Sequence, residues 1–293
     1  MPLSMNTIDG YRVIERATRD LLGEGPAWSV RRGALFWVDI LAPALRSLDL
    51  ESGVVSTWNM PEKIGWAIEC AGHDGFIIGL KSGFARLDLE TLEIERIGHP
   101  EPDRHHNRLN DAKVDRAGRI WAGTMDDREV EALGALYRLD PGLTWTRHDD
   151  GYRVTNGPTF SPDGTTVYHT DSLDRSVFAF DLTDEGALIN KRLFLRFNDS
   201  WGYPDGMCTD TDGGIWIAHW GGGRVSRFSP DGRLDRSIPL PASQITSCAF
   251  GGAGLDRMFV TSAAVGIEGE PLAGALFEVE SGAHGVAPTL FAG

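Results

Sequence analysis

Apolar residues in this chain come in short bursts, never in long helical stripes. The runs "ALFWVDI", "FIIGL", "RIWAGTM", "TTVYHTD", "IWIAHW" and "RMFVTSA" are rich in β-branched and aromatic residues. They are too short for helices and read as strands. Each follows a turn rich in Gly and Asp: "SVRRG", "GHDG", "DRAG", "SPDG", "DTDG" and "GGAGLD". Each leads to a further strand, "LRSLDL", "FARLDL", "ALYRLD", "VFAFDL", "RVSRFS" or "ALFEVE". Six copies in one order, at a period of roughly 40–50 residues, are the pattern of propeller blades with four strands each.

A four-stranded antiparallel sheet has two faces and cannot bury both alone. Stacked radially, each sheet covers its neighbours. The expectation is therefore all-β: a six-bladed β-propeller of four antiparallel strands per blade, forming one domain over residues 1–293. The run "YRVIERA" at 11–17 precedes the first unit and is expected to supply the outer strand of the last blade. A β-sandwich also has many short strands, but it does not repeat one unit six times.

The segments that enter each innermost strand carry the chemistry. They read "GEGPAW", "KIGWAI", "LNDAKV", "TNGPTF", "YPDGMC" and "QITSCA". In register, Glu24, Asn110, Asn156 and Asp205 are equivalent, with apolar or hydroxyl residues in the other two units. Alone, each is an ordinary turn residue. In "LGEGPAW", Gly23 and Gly25 hint at a nucleotide loop, but the third glycine is missing and Pro26 removes an amide that could hold phosphate. In a propeller all four would converge at one mouth of the central channel. Two carboxylates drawn together repel, and a hard divalent cation resolves that. Oxygen donors of this kind suit calcium first, with manganese, magnesium, zinc or iron as possible substitutes. With few protein ligands, water completes the shell, as hydrolysis requires.

Composition narrows the partners. The chain has 42 acidic against 28 basic residues and a net charge of −14, which excludes polyanions such as nucleic acid. No apolar run is long enough to span a bilayer. The N-terminal 17 residues lack a leader pattern, so a cytoplasmic location is expected. Cys70, Cys208 and Cys248 have no C-x-x-C spacing and read as buried free thiols. "LFWVDI" also suits extracellular receptor propellers, but the lack of a disulfide framework argues against that lineage. "DTDGG" lacks the first and last ligands of an EF-hand loop, and no G-x-S-x-G elbow supports serine catalysis.

The stretches "NRLNDAKVDRAGRIWAGTM", "TNGPTFSPDGTTVYHTDS", "YPDGMCTDTDGGIWIAHWGGGRV" and "TSCAFGG" resemble the regucalcin (senescence marker protein), gluconolactonase and luciferin-regenerating enzyme family. The resemblance runs from "LGEGPAW" to the closing "GVAPTLFAG". It implies one divalent metal on Glu24, Asn156 and Asp205, and a substrate-binding segment at Arg108 and Asn110. It also implies a substrate-contacting Glu shortly after "GTM", but the count lands on Arg128. Asp126, Asp127 or Glu129 could stand in, and Asp127 is taken as the substrate-binding acid.

The expected reaction is hydrolysis of an aldonolactone of the gluconolactone, xylonolactone or arabinonolactone type to its acid. The metal would polarise the carbonyl, and Asp205 would act as general base. The expected partner is therefore a small sugar lactone. Alternatives are a non-enzymatic calcium-binding protein, an esterase or phosphotriesterase, and a protein-interaction propeller. His105 and His106 are expected on a rim loop, His169 and His219 in packing, and Asp171 in a structural hydrogen bond.

Overall fold

The computed structural model describes residues 10–293; residues 1–9, on which much of the leader expectation rests, lie outside it. Its strands form six sheets of four, each antiparallel and in sequential order within its blade. This is the six-bladed β-propeller that the repeat predicts. The inner strands are Gly23–Ser29, Ile64–Glu69, Asn107–Val114, Thr155–Phe160, Tyr203–Thr209 and Ile245–Gly251. Glu24, Asn110, Asn156 and Asp205 lie within these strands, near their starts, not in segments preceding them. The closing strand is Tyr11–Val13, which pairs with Phe277–Val279 in the last blade. No helix of the described residues is long and apolar enough to cross a membrane.

Burial follows radial position. Inner and second strands are almost wholly buried, whereas the outer strand Leu188–Arg196 is largely exposed. The apolar core is divided among the seams between blades. Phe36 and Val38 of the first blade meet Ala67, Phe76 and Ile78 of the second. Cys208 and Trp216 of the fifth meet Cys248, Phe250 and Phe277 of the sixth. All three cysteines are free and buried, and burial pushes the Cys70 thiol up to about 11.

The repeated Asp of the turns has a job that the strand pattern does not announce. The indole N–H of Trp121 donates to Asp115 (2.8 Å), and that of Trp216 donates to Asp210 (2.8 Å). Arg119 and Arg227 close each unit with ion pairs of 2.7 and 2.6 Å. Trp37 finds Asp20 in the same way at 3.0 Å, with Arg16 and Arg46 on that carboxylate. A buried indole needs an acceptor, and a buried carboxylate needs cations and donors.

Breaking one unit strands a buried guanidinium and an indole N–H. Asp115→Ala is expected to cost about 3 kcal/mol or more, read as a lowered urea midpoint at unchanged slope. A loss under about 0.5 kcal/mol, as at an ordinary surface position, would show that the unit holds nothing together.

Candidate functional site

Every inner strand slips register at the same place. The breaks fall between Glu24 and Ala27, Ile64 and Trp66, Leu109 and Ala112, Asn156 and Thr159, Pro204 and Met207, and Ile245 and Ser247. A bulge of this kind re-aims side chains and ends regular alternation. Gly25 and Gly157 supply the left-handed backbone that two of the bulges need, with φ of 56° and 71°. That is the local reason for "GEGP" and "TNGP": each glycine lets the preceding Glu or Asn leave the sheet plane.

Glu24, Asn110, Asn156 and Asp205 are all buried at this mouth. Asp111 joins them, a residue that the sequence reading passed over. Strict alternation would send it away from Asn110, and the bulge removes that rule. The Asp111 carboxylate accepts from the Ala112 and Gly157 N–H groups at 2.7 and 3.1 Å.

A chain of side-chain hydrogen bonds runs around the mouth. Asn156 donates through Nδ2 to Ser172 Oγ (2.9 Å), and its Oδ1 accepts from Asn110 Nδ2 (3.0 Å). Asn110 also donates to the Thr155 carbonyl (2.5 Å), and its Oδ1 accepts from Arg108 Nη1 (2.5 Å). Arg108 Nε donates to Asp127 Oδ1 (2.9 Å). Arg128, where residue counting placed the substrate-contacting acid, turns outward onto Asp126 at 3.0 Å. Asp127 thus occupies the place beside Arg108.

The electrostatics point to a cation. Burial, then the Asp111 charge, pushes Glu24 up to about 8. Burial pushes Asp111 up to about 6. Asp205 is raised by burial first, then by Glu24 and Asp111. Its Oδ1 is buried without any hydrogen-bond partner. Among the described residues no group of three or more His, Cys, Asp or Glu is poised as a metal cage. The donor set that fits is mixed instead: the Glu24 and Asp205 carboxylates with the Asn156 amide oxygen, a set suited to a hard, partly hydrated ion. The orphaned Asp205 oxygen is the observation that makes the fit.

The other candidates are packed or peripheral. His169 stands edge-on to Tyr152 at 4.8 Å, and burial lowers it to about 3. His219 meets the Trp201 carbonyl at 2.8 Å and is lowered to about 4, again by burial first. Asp171 accepts from the Arg153 and Val154 amides at 3.1 and 3.3 Å. His105 and His106 are exposed. A separate cavity of about 350 Å³ fills the channel below, between the later halves of the inner strands. Small residues there (Ala27, Ala67, Ala112, Thr159, Cys208 and Ala249) leave it open. Its walls include Glu69 but none of Glu24, Asn156 and Asp205.

With the fold and the mouth described, the family is clear. Residues 22–264 match the SMP-30/gluconolactonase/LRE-like region, and the chain belongs to that family, which includes sugar lactonases and regucalcins. It is 38% identical to the 6-deoxy-6-sulfogluconolactonase of Pseudomonas putida, over 93% of this chain and 96% of that one. It is 37% identical to the L-arabinolactonase of Azospirillum brasilense, over 97% and 96%. Among solved structures it superposes on the calcium-binding protein regucalcin of Agrobacterium tumefaciens with a TM-score of 0.91 at 28% identity, covering 96% of this chain and 97% of that one.

The raised carboxylates make a pH prediction for cation-free protein. Below about pH 4 these groups are protonated folded and unfolded alike. Between there and about pH 8 the folded state holds protons that the unfolded chain releases, so stability falls as pH rises. With chelator present, Tm should be higher near pH 5.5 than near pH 8, and millimolar calcium should restore most at pH 8. The buried histidines His169 and His219 give the opposite slope below about pH 6.5, so the pH arm is read as the difference from Glu24→Gln. No difference, with a Tm that also ignores cation, would contradict the coupled buried cluster.

Proposed function

We propose that this chain is a divalent-cation-dependent lactonase that opens aldonolactones to aldonic acids. The observation that carries the reading is the orphaned Asp205 oxygen in a buried group with Glu24, near an Asn156 that Asn110 joins to Arg108. The two named lactonase relatives support lactone hydrolysis, and the calcium-binding relative supports calcium as the ion.

Glu24, Asn156 and Asp205 would hold the cation. It would polarise the lactone carbonyl and favour the developing oxyanion. Asp205 orients the attacking water and takes its proton on its carboxylate. The water oxygen bonds to the carbonyl carbon as the ring ester C–O bond breaks, and the proton passes to the departing ring oxygen. Asn110 and Asp127 fix the plane of Arg108 and leave Nη2 uncommitted, so that edge is free to hold a substrate oxygen. Ser172 matters indirectly, since it fixes which end of the Asn156 amide faces the ion.

A protein that only binds calcium would use the same oxygen set but has no task for Arg108. Acid release from D-glucono-δ-lactone and L-arabino-γ-lactone, with and without chelator, separates the two readings. Asp205→Asn should lower kcat by about 100-fold or more with little change in KM. Wild-type turnover in that variant, with cation still bound, would remove Asp205 from the chemistry.

A further inference from the structure

At the edge of this mouth three cations share one carboxylate. Lys63 Nζ lies 2.8 Å from both oxygens of Asp127. Lys81 Nζ lies 3.3 Å from Oδ2, and Arg108 Nε lies 2.9 Å from Oδ1. The three donors come from different places: the approach to the second inner strand, the next hairpin of that blade, and the third inner strand. Glu62, next to Lys63, does not offset them, because it is held by Ser82 and Arg96. Glu129, exposed on the same loop as Asp127, acts on Asp205 instead, which its charge helps to raise. The cluster therefore keeps an excess of positive charge on a chain whose net charge is −14.

Hydrogen-bond capacity sharpens the point. A carboxylate has about four acceptor positions, and these four contacts use all of them. Asp127 then has no lone pair left for a substrate hydroxyl; it positions the cations. The ammonium groups keep spare protons, and the lysine side chains are 30% and 39% exposed while Asp127 is 14% exposed. The lysine side of the surface offered to a ligand is thus rich in donors and cationic. Neutral sugar hydroxyls need acceptors as well as donors, whereas an oxyanion needs only donors. A continuous hydrogen-bonded chain, Asp127, Arg108 and Asn110, links the lysines to Asn156.

We propose that the preferred lactone carries an anionic substituent (sulfonate, phosphate or carboxylate) that Lys63, Lys81 and Arg108 receive while its ring carbonyl faces Glu24, Asn156 and Asp205. This rests on the lactonase reading above and names the substrate class for it.

The test compares D-glucono-δ-lactone with 6-phospho-D-glucono-δ-lactone, which share the ring and differ in charge, in wild type and in Lys63→Met and Lys81→Met. The wild type should favour the phosphorylated lactone in kcat/KM, and rising salt should shrink the preference. Each variant should lower the ratio of phosphorylated to neutral kcat/KM by about tenfold, while hydrolysis of the neutral lactone reports that the protein is folded. Inorganic sulfate should compete with substrate in wild type and lose potency in both variants. Equal use of the two lactones, with a ratio that neither substitution moves, would overturn the charge assignment and leave the hydrolase standing. Failure to open either lactone with any divalent cation would overturn the hydrolase reading itself.

Discussion

Closure of the ring is the constraint on which the site depends. The last blade is assembled from both ends of the chain: Tyr11 pairs with Val279, Arg12 with Glu278 and Val13 with Phe277. Tyr11 stands edge-on to Phe277 at 5.8 Å, and Arg257 reaches the Glu278 carboxylate that Arg12 also contacts. Without this strand the last sheet keeps an unpaired edge, and the sixth blade is held against the first only by the inner seam. That seam matters because Thr246 of the sixth inner strand donates to the Gly23 carbonyl at 2.5 Å, one residue from Glu24.

Within the closed ring the chain uses one local device repeatedly. A bulge at the same point of each inner strand turns side chains out of the sheet and toward the axis. The second and sixth blades contribute no carboxylate or amide there, so the mouth is lopsided: carboxylates and amides gather from the first, third, fourth and fifth blades. The result is a buried group of like charges that raises its own proton affinity. A folded protein retains such a group when an ion or a proton offsets the repulsion. Charge is also divided along the mouth. Acidic oxygens lie deep, and the cations around Asp127 lie nearer solvent. The two ends of the mouth therefore present opposite fields.

The ordering of oxygen donors was legible in the sequence because phase in a repeat survives any detail of packing. Glu24 and Asn156 share the last paired position before the bulge, whereas Asn110 and Asp205 fall one residue later, inside it, so the sequence register was right only to within one residue; a propeller brings both positions to one place. The blade number and the closing strand followed from the same short-period pattern, and the free thiols from the lack of C-x-x-C spacing. Asp111 was hidden because strand alternation sends adjacent side chains to opposite faces, and only the bulge cancels that rule. Lys63 and Lys81 were hidden because they meet Asp127 across 64 and 46 residues of chain. Counting along the loop arrives at Arg128, yet its guanidinium prefers the buried Asp126 carboxylate and turns away.

The sequence by itself determined the class of fold and the chemical type of the mouth, since both depend on residue type at a repeated interval. The tertiary structure decided which neighbours each charged group acquired. Ion pairing and desolvation depend on distance and burial, and those belong to the closed ring and not to any single blade.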